Sequence, residues 1–144
     1  MQVYAMYVHS TRRTPYATDI AGNRKPIETR PSDVLAPLVG GRSLVIDSGR
    51  RHSAVIGSVA VTGSAWKTAA ELDSMRDMTR IPAGSQFDCK GAGKFCYSCS
   101  DGVLFSDPVL LDSLHVLKKT RSYALIDMDP AVLLALDPDH IDKF

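Results

Sequence analysis

Two strand-like runs that follow each other closely constrain the fold of this chain more than any other feature. Arg42–Asp47 is apolar and β-branched, and the longer run Ala54–Thr62 has the same character around a central Gly57. β-Branched side chains favour the half-buried surface of a sheet, and a glycine inside a strand is typical of a β-bulge. Only Ser48–Ser53 separates the two runs. The sequence therefore predicts a β-hairpin.

Three further segments have strand character. Met1–Val8 is apolar on both of its alternating faces, which is typical of a central strand that is covered on two sides. Phe95–Ser100 and Ser122–Asp127 are predicted as later strands, and Asp101-Gly102 after the first of them is a strong turn signal. A mixed, largely antiparallel sheet follows from this order.

Helix signals are fewer. Thr68 and Glu71 have the spacing of a capping box, and the apolar residues after them predict a helix of about three turns that ends at Arg80. Met75 and Met78 lie at three-residue spacing on its expected inner face, so we predict them in the core. A second, shorter helix or a turn is predicted between residues 10 and 20.

The last helix has clear boundaries. Asp129 and Pro130 supply an N-cap and a first-turn proline, and Asp137-Pro138 ends the apolar run. We expect residues 129–144 to pack through Leu133 and Leu136, either on the sheet or on a partner chain. The second possibility predicts a homodimer.

The fold class follows from these elements. Five or six strands with two or three helices, tight connections and no internal repeat predict an α+β protein with a small, mostly antiparallel sheet or β-barrel. With 144 residues, 44% of them apolar, the chain suits a single core. No apolar run approaches the ~20 residues that span a bilayer, and no signal-peptide pattern opens the chain, so we expect a cytoplasmic protein without membrane contact.

The stretch Gly22–Arg30 concentrates groups that can carry chemistry. Pro26 disfavours the helical region for the residue before it, so Lys25 should be extended and a short strand should start after the proline. Because side chains alternate along a strand, Glu28 and Arg30 then share one face, with Lys25 near it.

Two interpretations of these charges stay open at this point. In a partly desolvated cleft, Lys25 can act as a proton donor or base that Glu28 positions, while Arg30 binds phosphate with two parallel hydrogen bonds. Alternatively, Glu28 forms a structural ion pair with Arg30 or Arg24. Spacing alone does not separate the two.

Positive charge is concentrated in the first third of the chain. Residues 1–51 hold eight Lys and Arg against four acidic residues, whereas the remainder holds nine against twelve. The hairpin tip carries Arg50, Arg51 and His52, which can bind the phosphate backbone of a nucleic acid. A solvated basic surface without a ligand explains the same pattern.

Aromatic and histidine side chains are candidate base contacts. Tyr97 or Tyr7 can stack on a base, although both can also belong to the core, and for Tyr7 inside its apolar strand we prefer the core. His9 and His52 are possible proton-transfer groups for RNA cleavage, but single surface histidines are usually only solvated.

The cysteines argue against a metal site. Cys96 and Cys99 have ligand spacing and His115 follows them, but a second close pair is missing. We predict free thiols at these positions and at Cys89, with no metal and no cofactor.

One family has a similar arrangement. The pattern Gly22-x-x-Lys25-x-x-Glu28-x-Arg30, followed by Gly41–Gly49 and Val55–Val59, resembles the ASCH domain (activating signal cointegrator homology), a branch of the PUA-like β-barrels. The resemblance implies that residues 1–128 form an ASCH domain, followed by the C-terminal helix of residues 129–144. It also implies a positively charged cleft beside the motif.

The resemblance to ASCH domains implies several possible functions for this chain, which are those of the known members. They include RNA-binding modules, a ribonuclease that acts on single strands, and an amidohydrolase that deacetylates N4-acetylcytidine. In the amidohydrolase the motif lysine works with a threonine at the position that Glu28 occupies here and with a later glutamate, to which Glu71 is the candidate match.

Our main hypothesis is therefore an RNA- or nucleotide-binding domain that recognises single-stranded RNA or a modified nucleoside. The alternative is a metal-independent hydrolase with Lys25 and Glu28 in acid/base roles, acting as a ribonuclease or on an acylated nucleoside.

Overall fold

The computed structural model describes residues 1–144 and contains seven strands and four short helices. The strands are β1 (Gln2–Val8), β2 (Ile27–Arg30), β3 (Gly41–Asp47), β4 (Ala54–Thr68), β5 (Gly93–Leu110), β6 (His115–Lys119) and β7 (Tyr123–Asp127). The helices are α1 (Tyr16–Ala21), α2 (Ala69–Asp73), α3 (Arg76–Thr79) and α4 (Pro130–Leu136). Single 3-10 turns lie at Ala36–Leu38, Leu111–Ser113 and Pro138–Lys143. None of the helices has the length and apolar character needed to cross a membrane.

All seven strands belong to one sheet in the order β2-β5-β4-β3-β1-β7-β6. Only β1 and β3 pair in parallel, and every other neighbouring pair is antiparallel. The predicted mixed, mostly antiparallel α+β architecture is therefore confirmed. The edge strands β2 and β6 do not pair with each other, so the sheet is open and a closed barrel is not confirmed.

The predicted hairpin is strands β3 and β4. Their register shifts between Val45 and Ile46, opposite the shift in β4 around Gly57. A side chain on Gly57 would meet the Val103 carbonyl oxygen at 2.2 Å and the Ala21 Cβ at 2.7 Å. The glycine thus allows the strand to bulge and α1 to pack closely against it, as the sequence predicted.

The predicted turn at Asp101-Gly102 is wrong, because β5 runs through both residues to Leu110. Asp101 adopts the left-handed region with φ 50°, and the Asn23 side chain bonds to both backbone groups of Gly102, at 2.6 Å to its N–H and 3.0 Å to its carbonyl. A side chain on Gly102 would collide with the Ala21 carbonyl at 2.4 Å. The Asp-Gly pair therefore makes an irregular point inside a long strand.

The predicted three-turn helix is two short helices, α2 and α3. The capping box is confirmed, since the Thr68 hydroxyl accepts the Glu71 N–H at 3.2 Å and the Glu71 carboxylate accepts the Thr68 N–H at 3.1 Å. The break between the helices turns Met78 outward, with 42% of its surface exposed, and leaves Met75 half-buried. The prediction that both methionines lie in the core is wrong.

Two hydrophobic cores lie on opposite faces of the sheet. Residues of β1 alternate between them: Met6 and Val8 enter the larger core beside α1, while Val3 and Ala5 enter the smaller core beneath α4. The prediction of a central strand covered on both faces is confirmed, and each face requires its own covering helix.

The C-terminal helix begins as the sequence indicates. The Asp129 side chain accepts the Ala131 N–H at 2.9 Å, and Pro130 occupies the first turn. Leu133 is completely buried in the smaller core of the same chain, and Leu136 packs against its edge. A dimer contact through these two leucines therefore does not agree with the structure.

A buried polar cluster fastens the segment after α4 to the sheet. The Asp137 carboxylate accepts hydrogen bonds from Arg42 Nε at 3.1 Å and from the Ser58 hydroxyl at 2.5 Å, and its other oxygen lies 2.7 Å from His140 Nδ1. Arg42 also donates to Ser58 and to the Asp101 carbonyl. We refer to Arg42, Ser58, Asp137 and His140 as the Arg42–Asp137 cluster.

Candidate functional site

A cleft of about 240 Å³ opens where the end of β1, the edge strand β2 and the loop before β5 meet. Arg30 explains why these elements are close: its Nη2 donates to the Tyr7 carbonyl at 2.5 Å, although β1 and β2 stand four places apart in the sheet order. The sheet must curl to bring them together. The cleft is lined by Tyr7, Val8, His9, Tyr16, Lys25, Glu28, Thr29, Arg30, Pro31, Ser48, Ile81, Phe87, Lys94 and Arg121.

Local sequence places Lys25 at this cleft. Helix α1 ends at Gly22, Asn23 takes the left-handed region with φ 62°, and the Lys25 N–H bonds to the Asp19 carbonyl at 2.9 Å. Asparagine tolerates that conformation better than most residues. Pro26 follows, and the chain then enters β2 as predicted.

The three charged motif residues form one buried cluster. Lys25 Nζ lies 3.6 Å from one Glu28 oxygen, and Arg30 Nη2 donates to the other at 3.1 Å. Glu28 also accepts the Thr29 N–H at 3.0 Å, and Lys25 donates to the Thr79 carbonyl. The prediction that Glu28 and Arg30 share a face is confirmed. We call these residues the Lys25–Glu28–Arg30 cluster.

Burial and charge act in opposite directions on this cluster. Burial alone would raise the pKa of Glu28, but the charges of Arg30 and Lys25 and the hydrogen bonds from Arg30 and Thr29 hold that pKa below its ordinary value. Burial lowers the pKa of Lys25, and the opposing attraction of Glu28 only partly restores it. Lys25 is thus a lysine whose charged form is disfavoured by its surroundings.

Three hydroxyl groups at the cleft have no hydrogen-bond partner in the chain. They belong to Tyr7, Tyr16 and Thr29, and each oxygen is buried. Most buried polar side-chain atoms in proteins are paired, so a group of unpaired ones beside an opening needs an explanation. None of the three oxygens has accessible surface, and the Tyr7 side chain packs against the smaller core, so these hydroxyls do not face the open part of the cleft.

One wall of the cleft is aromatic. Phe87, from the loop before β5, packs edge-on against Tyr16 at 5.7 Å and at a tilt against His9 at 5.9 Å. The Lys25 ammonium lies 4.8 Å from the centre of the Tyr16 ring, close enough for a cation–π contact. The cleft therefore offers ring surface and positive charge together.

Sequence reasoning missed two of the cationic side chains. Lys94 is half-buried at the start of β5, donates to the Phe87 carbonyl at 2.7 Å, and has a pKa that burial lowers. Arg121 reaches the cleft from the turn between β6 and β7. Lys94 directly precedes the predicted strand that contains Tyr97, and this position could have indicated a cation beside the sheet. Nothing in the local sequence around Arg121 indicated that it reaches the cleft.

Several predicted phosphate contacts lie outside the cleft. Arg24 is exposed and bonds to Asp19 at 3.2 Å, and Arg50 pairs with Asp47 at 3.4 Å. Arg51 and His52 are exposed at the hairpin tip, as predicted, but neither lines the cleft. Phosphate binding by these four residues stays a prediction.

Both candidate stacking tyrosines belong to the packed interior. Tyr97 is completely buried, its hydroxyl donates to Asp33 at 2.7 Å and accepts the Leu35 N–H at 3.2 Å, so stacking on a base does not agree with its position. The half-buried side chain of Tyr7 packs against the smaller core, as we preferred. At the cleft, the backbone carbonyl of Tyr7 accepts a hydrogen bond from Arg30.

The cysteines lie apart from the cleft lining. Cys96 and Cys99 are buried, Cys89 is half-buried, and all three are free thiols. Burial raises the pKa of Cys99 to about 12, so this thiol is inert at neutral pH. No group of three or more His, Cys, Asp or Glu side chains is placed to hold a metal ion.

Solved structures share this fold. The crystal structure of ASCH from Zymomonas mobilis superposes with a TM-score of 0.61 at 16% identity, over 75% of this chain and 74% of that one. A crystal structure of its variant with a serine changed to alanine gives a TM-score of 0.65 at 16% identity, over 91% and 94%. A variant with a tyrosine changed to phenylalanine gives 0.59 at 17% identity, over 75% and 76%.

The chain therefore has an ASCH-like fold, and the resemblance noted in the sequence is confirmed at the level of the fold. No protein-family model matches the sequence, and no curated protein is similar to it.

Proposed function

We propose that this chain is an RNA- or nucleotide-binding ASCH-type domain that recognises single-stranded RNA or a modified nucleoside in the cleft. The observation that carries the proposal is the combination, in one opening, of four cationic residues with aromatic rings. Phosphate groups and base faces are the two kinds of group that such a lining complements.

The charge balance of the lining supports an anionic ligand. Four cationic residues face a single carboxylate, that of Glu28, which is already bonded within its cluster. The four are Lys25, Arg30, Lys94 and Arg121. Cations along a cleft raise the local potential and attract phosphate groups.

The size of the cleft supports a small occupant. Its volume of about 240 Å³ lies below the roughly 300–1,000 Å³ of drug-sized sites. One base with part of its sugar suits such a space, whereas a duplex does not.

The test is a titration of fluorescently labelled single-stranded RNA at two salt concentrations. We expect saturable binding that weakens at higher salt, because phosphate contacts release counterions. Arg30→Ala should weaken it about 10- to 100-fold, since charge-assisted hydrogen bonds contribute about 1.5–3 kcal/mol. Arg13→Ala, which removes an exposed arginine outside the cleft, is the matched control and should change affinity less than threefold. Absence of binding by the unmodified protein would exclude the proposal.

The second candidate function is a metal-independent hydrolase that acts on RNA or on an acylated nucleoside. The position of Lys25 at the cleft, 3.6 Å from Glu28, favours it, and the burial that lowers the pKa of Lys25 shifts this side chain towards the neutral form that a general base requires. RNA and N4-acetylcytidine should each be incubated with the protein and a chelator, and product formation followed. Undiminished activity of a folded Lys25→Met variant would exclude this mechanism.

The homodimer hypothesis requires a contact surface other than the buried Leu133 and Leu136. Val132 and Leu134 are the large side chains of α4 that remain exposed, at 41% and 49%. Gel filtration of the unmodified protein and of Leu134→Glu tests whether α4 forms a dimer contact. The substitution leaves the buried side of the helix in the smaller core. A dimer of the unmodified protein that becomes monomeric in the variant is the expected result if α4 forms the contact.

A further inference from the structure

We propose that the cleft continues into a second subsite in which the exposed indole of Trp66 stacks on the neighbouring base of the same strand. The protein would then take single-stranded oligonucleotides in preference to free nucleosides. This inference rests on the proposed binding function and names its substrate class.

The second subsite is a depression of about 510 Å³ that adjoins the cleft. Pro31, Phe87 and Lys94 line both spaces, so they form the boundary between them. Trp66 stands in the second space, which the loop Gln86–Gly93 borders. A chain that enters the cleft can therefore run across this boundary without leaving the surface.

Trp66 has a partly exposed indole ring that is held in a fixed position. Its residue is 46% exposed, and its ring packs edge-on against Phe95, its partner on the neighbouring strand, with centroids 5.1 Å apart and planes at 72°. Gly93 lies directly against it: a side chain there would meet two indole carbons at 2.9 Å. Phe95 and Gly93 hold the indole in place while part of it faces solvent. An indole held in this way offers a face on which an unpaired base can stack.

The charges of this subsite favour a polyanion. Lys90 and Lys94 line it, and Asp88 is its carboxylate. The Asp88 carboxylate is held by Arg76 at 3.2 Å and by the backbone N–H groups of Gly84 and Cys89 at 2.8 and 2.9 Å. Its negative charge is therefore compensated within the chain, which leaves the lysines to set the local potential.

The position of Lys94 between the two subsites determines the kind of occupant. Its ammonium lies at the boundary, where a phosphodiester that joins two nucleotides would pass. Stacking on an indole requires an unpaired base and tolerates any sequence. The smallest ligand that uses both subsites and the lysine is thus a single-stranded dinucleotide.

Trp66 is the single tryptophan of the chain, so emission excited at wavelengths that tyrosine does not absorb reports on this subsite alone. A short single-stranded oligouridylate and uridine monophosphate serve as the two probes. We expect the oligonucleotide to quench the emission in a saturable manner. Uridine monophosphate, which occupies the cleft, should compete with the labelled oligonucleotide without quenching Trp66.

Variants of Trp66 give the second readout, with binding measured by the anisotropy of the labelled oligouridylate. Trp66→Ala should weaken binding about 5- to 150-fold, the range that corresponds to the loss of one base–aromatic stack, and leave competition by uridine monophosphate unchanged. Trp66→Phe should restore most of the affinity. Leu104→Ala, which truncates a side chain of equal exposure outside both subsites, should have no effect.

The outcomes separate this inference from the proposed function. Oligonucleotide binding that depends on Arg30 but causes no Trp66 quenching and is unaffected by Trp66→Ala would overturn the second subsite and leave the cleft proposal standing. No binding of either probe would overturn both.

Discussion

The chain contains two buried charge clusters that look alike in a residue inventory and differ in their surroundings. In the Arg42–Asp137 cluster, both charged partners have side chains less than 3% exposed and are bonded to each other, to Ser58 and to His140. The Lys25–Glu28–Arg30 cluster is bonded internally as well, but it borders a cleft to which Lys94 and Arg121 add positive charge.

The difference shows which cluster is available to a ligand. A depression beside Arg42 and His140 exists too, but no Phe, Tyr or Trp lines it. The Arg42–Asp137 cluster therefore connects α4 and its following turn to the sheet without an aromatic wall in the depression beside it. The Lys25–Glu28–Arg30 cluster connects β1 and β2 and also lines a cleft with aromatic rings and further cations. We therefore expect substitutions in the first cluster to change stability alone, and substitutions in the second to change both stability and ligand binding.

The largest stability effect is expected for Asp137→Ala. Removal of one partner from a buried ion pair leaves Arg42 without compensation, at a cost of about 3–5 kcal/mol in the free energy of unfolding. Denaturant unfolding measures it. Asp139→Ala, two residues away and without a side-chain bond, should stay within about 0.5 kcal/mol of the unmodified protein. Equal stability of the two variants would contradict the role assigned to the Arg42–Asp137 cluster.

Arg30→Ala should affect both properties. We expect a loss of about 1.5–3 kcal/mol in the free energy of unfolding, because the hydrogen bonds of Arg30 to Glu28 and to the Tyr7 carbonyl disappear while Lys25 still compensates Glu28. Affinity for single-stranded RNA should fall in parallel. Unchanged RNA affinity in a folded Arg30→Ala protein would show that the Lys25–Glu28–Arg30 cluster, like the Arg42–Asp137 cluster, does not contribute to binding.

The pH dependence of Glu28→Gln tests the electrostatics of the cleft. Because the folded state lowers the pKa of Glu28 from its ordinary 4.5, the stabilisation by its charge is present above that pH and is lost as the pH falls through the lower folded value. The variant should be about 1–3 kcal/mol less stable at neutral pH. This gap should narrow below pH 4.5 in parallel denaturant titrations. The Asp137 carboxylate, whose pKa is also lowered, is present in both proteins and does not affect the comparison.

The smallest effect comes from two tyrosine hydroxyls. Tyr97→Phe should cost about 0.5–1.5 kcal/mol, because the hydroxyl bonds to Asp33 and Leu35. Tyr16→Phe should leave the free energy of unfolding unchanged or slightly raised, since its buried hydroxyl has no partner. Thermal unfolding measures both. A larger loss for Tyr16→Phe than for Tyr97→Phe would mean that the Tyr16 hydroxyl is satisfied within the fold.

Features that depend on residues close together in the chain were predictable. Thr68 and Glu71 form the capping box, Asp129 and Pro130 start α4, Pro26 directs the chain into β2, and alternation places Glu28 and Arg30 on one face. Each follows from the backbone geometry of a few consecutive residues.

Predictions failed where distant contacts outweigh local preference. Asp101 and its glycine have a turn sequence, but the Asn23 side chain bonds to the following residue and β5 continues. Met78 fits a helical stripe, but the helix is interrupted before it. In both cases a preference of at most a few kcal/mol yields to packing elsewhere in the chain.

The sequence by itself determined the strand-rich α+β class, the ASCH resemblance and the motif Lys25-x-x-Glu28-x-Arg30. Only the tertiary structure decided which other side chains accompany that motif. It buries Tyr97 and brings two cations from late in the chain to the cleft: Lys94 from the start of β5 and Arg121 from the turn between β6 and β7. The physical reason is the curl of the sheet, which joins residues far apart in sequence, and no local pattern encodes such an encounter.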